Sequence, residues 1–159
     1  MKKTMLTCLI FSLSLVGCQN KTENAKAESK NQSSFMLSGT WKLVSAIIIE
    51  NGDSTITNYS GDTTFIKIIN DTHFAFLQHD LHKGKDSTAV FGAGGGPYTL
   101  KDDSLYTEHL AYCNARAWEG NDFTFVVKIS NDTLIQKGVE KIDKLGVNRI
   151  NIEKYTRVR

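Results

Sequence analysis

The sequence predicts an all-β fold, an antiparallel up-and-down β-barrel of eight to ten strands, and three observations point there. Short runs rich in Ile, Val, Phe, Tyr and Thr recur between clusters of Asn, Asp and Gly, the composition of strands joined by turns. No stretch after residue 34 keeps the three-to-four residue apolar repeat of a long helix. Finally, so many sequential hairpins leave exposed edges unless the sheet closes on itself.

The strands are expected at Thr40–Glu50, Ser54–Tyr59, Thr64–Ile69, His73–His79, Thr88–Phe91, Pro97–Leu100, Ser104–Tyr112, Phe123–Ser130, Thr133–Glu140 and Arg149–Val158. Asn51-Gly52, Asn70-Asp71, Lys101-Asp102-Asp103 and Asn131-Asp132 supply tight turns, because Asn, Asp and Gly tolerate the left-handed backbone a hairpin needs. Alternation then assigns faces: Phe123, Phe125, Val127 and Ile129 share one side, with Thr124, Lys128 and Ser130 on the other. Ala46–Ile49 and Phe65–Ile69 are apolar on both sides, which predicts a covered second face. The one candidate helix is Ala111–Glu119, short and ended by Gly120. The run Phe91-Gly92-Ala93-Gly94-Gly95-Gly96-Pro97 lacks the Lys-Ser/Thr and the helix of a phosphate-cradling loop, and is expected to form a bulge, barrel corner or rim turn instead.

Residues 1–34 are set apart from this domain. Lys2 and Lys3 precede an apolar stretch from Met5 to Val16, too short to span a bilayer and followed by small residues, so residues 1–17 read as an export signal. Leu15-Val16-Gly17-Cys18 resembles the lipobox of bacterial lipoproteins, which implies cleavage before Cys18 and acylation of its thiol. More than one acyl chain gives stable anchoring where a single chain holds only marginally. Residues 18–34 are then an acylated Cys and polar tether, since Gln19 to Ser34 contains no large apolar residue. The folded domain is expected over residues 35–159.

Processing alters the charge and cysteine inventory. Losing Lys2 and Lys3 turns 19 basic against 17 acidic residues into 17 against 17, so the net +2 belongs to the signal. A neutral domain without a basic run offers nucleic acid no electrostatic footing. Cys8 leaves with the signal and Cys18 carries lipid, so Cys113 has no disulfide partner and reads as a small buried hydrophobe. The fold must stand on packing alone.

Gly39-Thr40-Trp41 opens the first strand and Tyr155-Thr156-Arg157 closes the last, a pattern similar to the lipocalins and their calycin relatives. There, an indole sits at the closed end of the barrel and an arginine from the final strand packs across it; Gly39, Trp41 and Arg157 are the matching structural positions. Gly94-Gly95-Gly96, Tyr106-Thr107-Glu108, Phe123 to Lys128 and Glu153-Lys154-Tyr155-Thr156-Arg157 extend the likeness across the domain. The chain resembles the lipocalin-like lipoprotein domains of Bacteroidetes-type bacteria, a domain without an assigned function. The resemblance implies a barrel of eight strands, or of ten as in the cytoplasmic fatty-acid-binding proteins. It also implies an envelope location, at the outer membrane on its periplasmic or cell-surface side.

An eight-stranded barrel can either fill its interior or hold one small ligand. Phe65, Phe74, Phe76, Tyr98, Tyr106, Tyr112, Phe123 and Phe125 would line a site for an apolar or amphipathic molecule. Glu108 shares its strand face with Tyr106 and Leu110; turned inward it needs a partner, for which Arg116 is the candidate, and turned outward it would leave His109 facing the core. The sequence thus predicts a lipid-anchored, non-enzymatic envelope protein holding a small hydrophobic ligand, with no cofactor and no metal. The alternative is a filled barrel that binds another envelope protein or a glycan through its rim or outer face, using Tyr59, Trp118 and Tyr155. His73, His79 and His82 could hold zinc only if the fold brought them together.

Overall fold

The structure is a computed structural model and describes residues 36–159; the expected signal, Cys18 and the tether lie outside the described residues. Ten strands form one antiparallel sheet: β1 (Gly39–Glu50), β2 (Asp53–Asn58), β3 (Thr63–Ile69), β4 (His73–Asp80), β5 (Phe91–Lys101), β6 (Leu105–Leu110), β7 (Tyr112–Cys113), β8 (Asn121–Ser130), β9 (Thr133–Ile142) and β10 (Val147–Arg157). Eight of them, in the order β1-β3-β4-β5-β6-β8-β9-β10, close into a barrel when β10 pairs back onto β1 from Trp41↔Arg157 to Ile49↔Ile150. This is a lipocalin-like barrel of eight strands, not the ten-stranded variant, because β2 and β7 lie off the ring.

Both extra strands fill places where a barrel strand loses a neighbour. β1 meets β3 only over Gly39–Lys42, then shifts register against β10 between Leu43 and Ser45 and continues with β2 on its other side. A bulge of this kind bends the strand and re-aims the side chains that follow. All of β2 is exposed, and Ile68, on the outer face of β3, is also exposed, so the two-sided apolar runs are only partly covered.

The two ends of the barrel differ in their connections. At the end holding Trp41, short turns join β3 to β4, β5 to β6 and β8 to β9, with positive φ at Asp102, Asp103 and Asn131. At the other end, residues 81–90 link β4 to β5, residues 111–120 link β6 to β8, and Asn51-Gly52 turns β1 into β2 with both φ angles positive.

Four expectations are corrected here. Thr88–Phe91 is not a strand of its own, since Phe91 opens β5: Asp86 accepts from the Thr88 N–H at 2.9 Å and its hydroxyl at 2.5 Å, and this local turn defeats the β propensity of Thr88 to Val90. The glycine run is neither corner nor rim turn but the first half of β5, paired with β4 from His79↔Phe91 to His73↔Pro97. A Cβ on Gly94 would stand 2.5 Å from Cζ of Phe76, so the missing side chain is what lets that ring lie in the barrel. The bulge sits in the facing chain, where the register changes between Tyr98↔Glu108 and Gly95↔Tyr112 and interrupts the expected Ser104–Tyr112 strand at Ala111. Finally, the expected helix at Ala111–Glu119 is β7 followed by one 3₁₀ turn at Arg116–Trp118. Asn114 prevents helix formation by extending the β5 edge: its Oδ1 accepts from Ala93 N at 2.8 Å and its N–H reaches Ala93 O at 2.9 Å.

Candidate functional site: a half-filled barrel

The side chains at the inner-facing positions divide the interior into a dry floor and a polar, open chamber. At the floor, Trp41, Leu43, Phe74, Tyr106, Phe125, Leu134 and Tyr155 are buried in one cluster with Leu37. Trp41 Nε1 donates to Leu37 O at 2.8 Å, and the Arg157 guanidinium lies 4.0 Å from the indole centroid. Arg157 also donates to Ser38 O at 2.8 Å and Met36 O at 2.5 Å, tying the segment before β1 to the last strand. A Cβ on Gly39, whose φ is +141°, would sit 2.5 Å from Arg157 Nη1, so a glycine two residues before the indole is a steric requirement.

Above this floor stands Lys67, buried on β3. Its ammonium donates to Glu108 Oε1 at 2.6 Å and Gln136 Oε1 at 3.1 Å, and lies 3.8 Å from Glu153 Oε2. Burial pulls Lys67 toward the neutral form, but Glu108 and Glu153 outweigh it and hold the ammonium above the ordinary lysine range. Burial pushes the Glu108 carboxyl up, and Lys67 only partly offsets that. The Tyr155 hydroxyl donates to Glu153 Oε2 at 2.7 Å, and burial followed by the Glu153 charge raises the phenol well above its usual range. The Tyr106 hydroxyl is buried next to Glu108, and burial followed by the Glu108 charge raises it strongly.

Over the Lys67 layer a cavity of about 340 Å³ opens toward the long connections. Phe65 and Phe76 stack on one wall, with centroids 5.8 Å apart and planes 13° from parallel. Phe123 and Trp118 meet at 5.8 Å near the mouth, where the Arg149 guanidinium lies 5.2 Å over the indole. The facing wall is polar: Glu140 accepts from Arg149 Nε at 2.6 Å and from Asn151 Nδ2 at 2.8 Å. These side chains converge because Gln136 and Glu140 on β9, and Arg149, Asn151 and Glu153 on β10, occupy alternate positions and so share the inner face.

Of the residues singled out in the sequence, Phe65, Phe76, Glu108, Phe123 and Phe125 line this cavity, Phe125 from the floor cluster that also holds Phe74 and Tyr106, and the Tyr98 ring packs tilted against Tyr106 with centroids 5.1 Å apart. Tyr112 and Arg116 are elsewhere. Tyr112 is 71% exposed on the outer side of β7, and Arg116 is an exposed side chain paired with Glu119 at 3.1 Å. The partner of inward-facing Glu108 is Lys67 rather than Arg116, while His109 faces outward and meets Asp122 at 2.8 Å. Tyr59, Trp118 and Tyr155 form no exposed aromatic patch: Tyr155 is fully buried, and Tyr59 packs on Phe65 at 6.0 Å. Cys113 is half-buried and lines the cavity. The histidines stay apart, with His79 on Asp80 O, His82 on Asp86 at 2.7 Å and His73 on Thr72. No group of three His, Cys, Asp or Glu among the described residues could hold a metal ion.

The residues that sequence reasoning missed are Lys67, Gln136, Glu140, Arg149, Asn151 and Glu153. The signal for them was parity. Lys67 shares the face of Phe65 and Ile69, and Arg149, Asn151 and Glu153 share that of Tyr155. No protein-family model, curated protein or solved structure matches the chain.

Proposed function

We propose that this protein is a binding module that holds one small amphipathic molecule in the open half of its barrel and is carried to the outer membrane by acylation of Cys18. The observation that carries the reading is the cavity of about 340 Å³, aromatic on one wall and polar on the other, above a buried apolar floor. Small-molecule sites typically begin near 300 Å³ and combine an apolar lining with a few convergent polar groups. The ligand's apolar body lies against Phe65, Phe76, Leu110 and Phe123, with its polar end toward the β9–β10 wall. The anchor rests on the sequence at residues 1–34, and the rim or outer-face alternative loses Tyr59 and Tyr155 as exposed contacts.

Native mass spectrometry of protein extracted from its own membrane tests both halves of the reading. The expected result is a diacyl- or triacyl-modified chain beginning at Cys18 and a retained small molecule. Ala115→Trp places an indole at the cavity mouth, from an exposed position, and is expected to reduce binding of an environment-sensitive apolar dye about tenfold, roughly 1.4 kcal/mol. A chain still carrying residues 1–17 removes the anchor, and dye binding unchanged by Ala115→Trp removes the cavity as the site.

A further inference from the structure

We infer that the ligand is a small organic ammonium ion with an aromatic or alkyl body, its cationic head seated against Glu153 and Asn151 on β10. This rests on the reading of the barrel as a ligand site and adds the ligand's charge and the residues that read it. The charged side chains lining the cavity are Lys67 and Arg149 against Glu108, Glu140 and Glu153, three carboxylates for two cations. Both cations are committed, Lys67 to Glu108 and Arg149 to Glu140, each at 2.6 Å. Glu140 also uses its second oxygen, on Asn151 Nδ2.

Glu153 is the carboxylate left under-compensated. Its Oε2 accepts a neutral phenol, and the nearest ammonium stands at 3.8 Å, beyond hydrogen-bond reach. Next to it on the same inner face is Asn151, only 6% exposed. Its amide orientation follows from its neighbour: Nδ2 must face the Glu140 carboxylate, so Oδ1 is the remaining acceptor, and it is buried with no partner among the described residues. A buried acceptor of this kind costs free energy until a donor meets it. An anionic or acceptor-only head would meet a carboxylate and an amide oxygen here. An ammonium brings both a balancing charge and several N–H donors, so it satisfies the two groups together. Phe65, Phe76 and Trp118 across the chamber suit the organic body and add cation–π attraction.

Isothermal titration calorimetry of the full chain with three probes of one shape tests this: 2-phenylethylammonium, 2-phenylethanol and 3-phenylpropanoate. The ammonium is expected to bind at least tenfold more tightly than the other two. Glu153→Gln is expected to weaken the ammonium about tenfold and to leave the alcohol within twofold. Glu153→Asp keeps the charge but withdraws it by one methylene and is expected to weaken the ammonium only a few-fold, less than Glu153→Gln, which keeps the test decisive should Glu153→Gln fold poorly. If the alcohol or the carboxylate binds as well as the ammonium, or if neither substitution changes their ratio in the direction given, the ammonium assignment is overturned while the barrel remains a ligand site. If no probe binds but the apolar dye does, the assignment again fails alone; if the dye fails too, the binding reading falls with it.

Discussion

Below Lys67 the barrel is built as a core, and above it as a container, although the same strands run through both halves. The floor buries Trp41, Leu43, Phe74, Tyr106, Leu134 and Tyr155 under short turns. The chamber keeps a cavity between aromatic and ionic walls and is rimmed by residues 81–90 and 111–120. The difference lies in which residues take the inner positions. On β10, Tyr155 packs in the floor cluster, whereas Glu153, Asn151 and Arg149 line the chamber. Apolar packing at one end supplies the stability that lets the other carry buried charge and empty volume, both of which cost free energy.

This division is open to a direct attack with paired indole truncations. Trp41→Ala removes a fully buried side chain, its hydrogen bond to Leu37 and its stack with Arg157, and is expected to cost about 4 kcal/mol in urea unfolding. Trp118→Ala, at the half-buried rim, is expected to cost about 1 kcal/mol or less while weakening ligand binding. Equal costs would mean that the two ends share one stability and that the division is false.

The second test strikes the boundary itself. Lys67→Met leaves Glu108 and Glu153 buried around an apolar side chain and is expected to destabilise by about 3 kcal/mol. Adding Glu108→Gln removes one of the stranded charges, so the double variant should recover part of that loss. No recovery would show that Lys67 acts by packing against Phe74, Phe125 and Tyr155, whose ring centroids lie 5.4 to 6.0 Å from its ammonium, rather than as the counter-charge of the polar layer.

The floor was far more legible in the sequence than the chamber. Gly39, Trp41 and Arg157 announce it, and the alternation of Phe123, Phe125 and Val127 fixes which face of β8 is dry. The turns at Asn51-Gly52 and Asn131-Asp132 were equally plain, because their chemistry is local. The chamber depends on pairing between distant strands. Lys67 finds Glu108 across 41 positions and Gln136 across 69, and no local signal records either meeting. Aromatic residues drew attention to Tyr112, whose parity is reset by the bulge at Ala111, and away from polar residues whose parity was intact. Glycine was misread for a similar reason: Gly94 serves the ring of Phe76 on the neighbouring strand, not a turn of its own.

The smallest effect concerns the rim and has a sign opposite to that of the boundary layer. Asp80, at the end of β4, accepts from the backbone N–H groups of His82 and Gly84, each at 2.9 Å, and of Val90 at 3.3 Å. The Gly84 contact leads these bonds in holding its carboxyl below the ordinary aspartate value of 3.8. A depressed folded value means that the unfolded chain binds the proton more readily. The stabilisation is therefore present above pH 3.8 and is lost as the pH falls through the lower folded value. Glu108 is raised, so the sign reverses: the folded state holds that proton more tightly, and stability declines as pH rises from the unfolded value of 4.5 toward the folded one. Lys67, also raised, contributes fully below pH 10.5 and loses its contribution as the pH climbs through its folded value. Asp80→Asn should accordingly flatten the acid limb of the pH–stability curve, and Glu108→Gln the decline above pH 4.5. Amide-shift titrations of His82, Gly84 and Val90 give the local check: in the native chain these three should move together at a pH below 3.8, without the inner-face amides of β10 following. If the β10 amides titrate with them, rim and chamber are one cooperative unit rather than two.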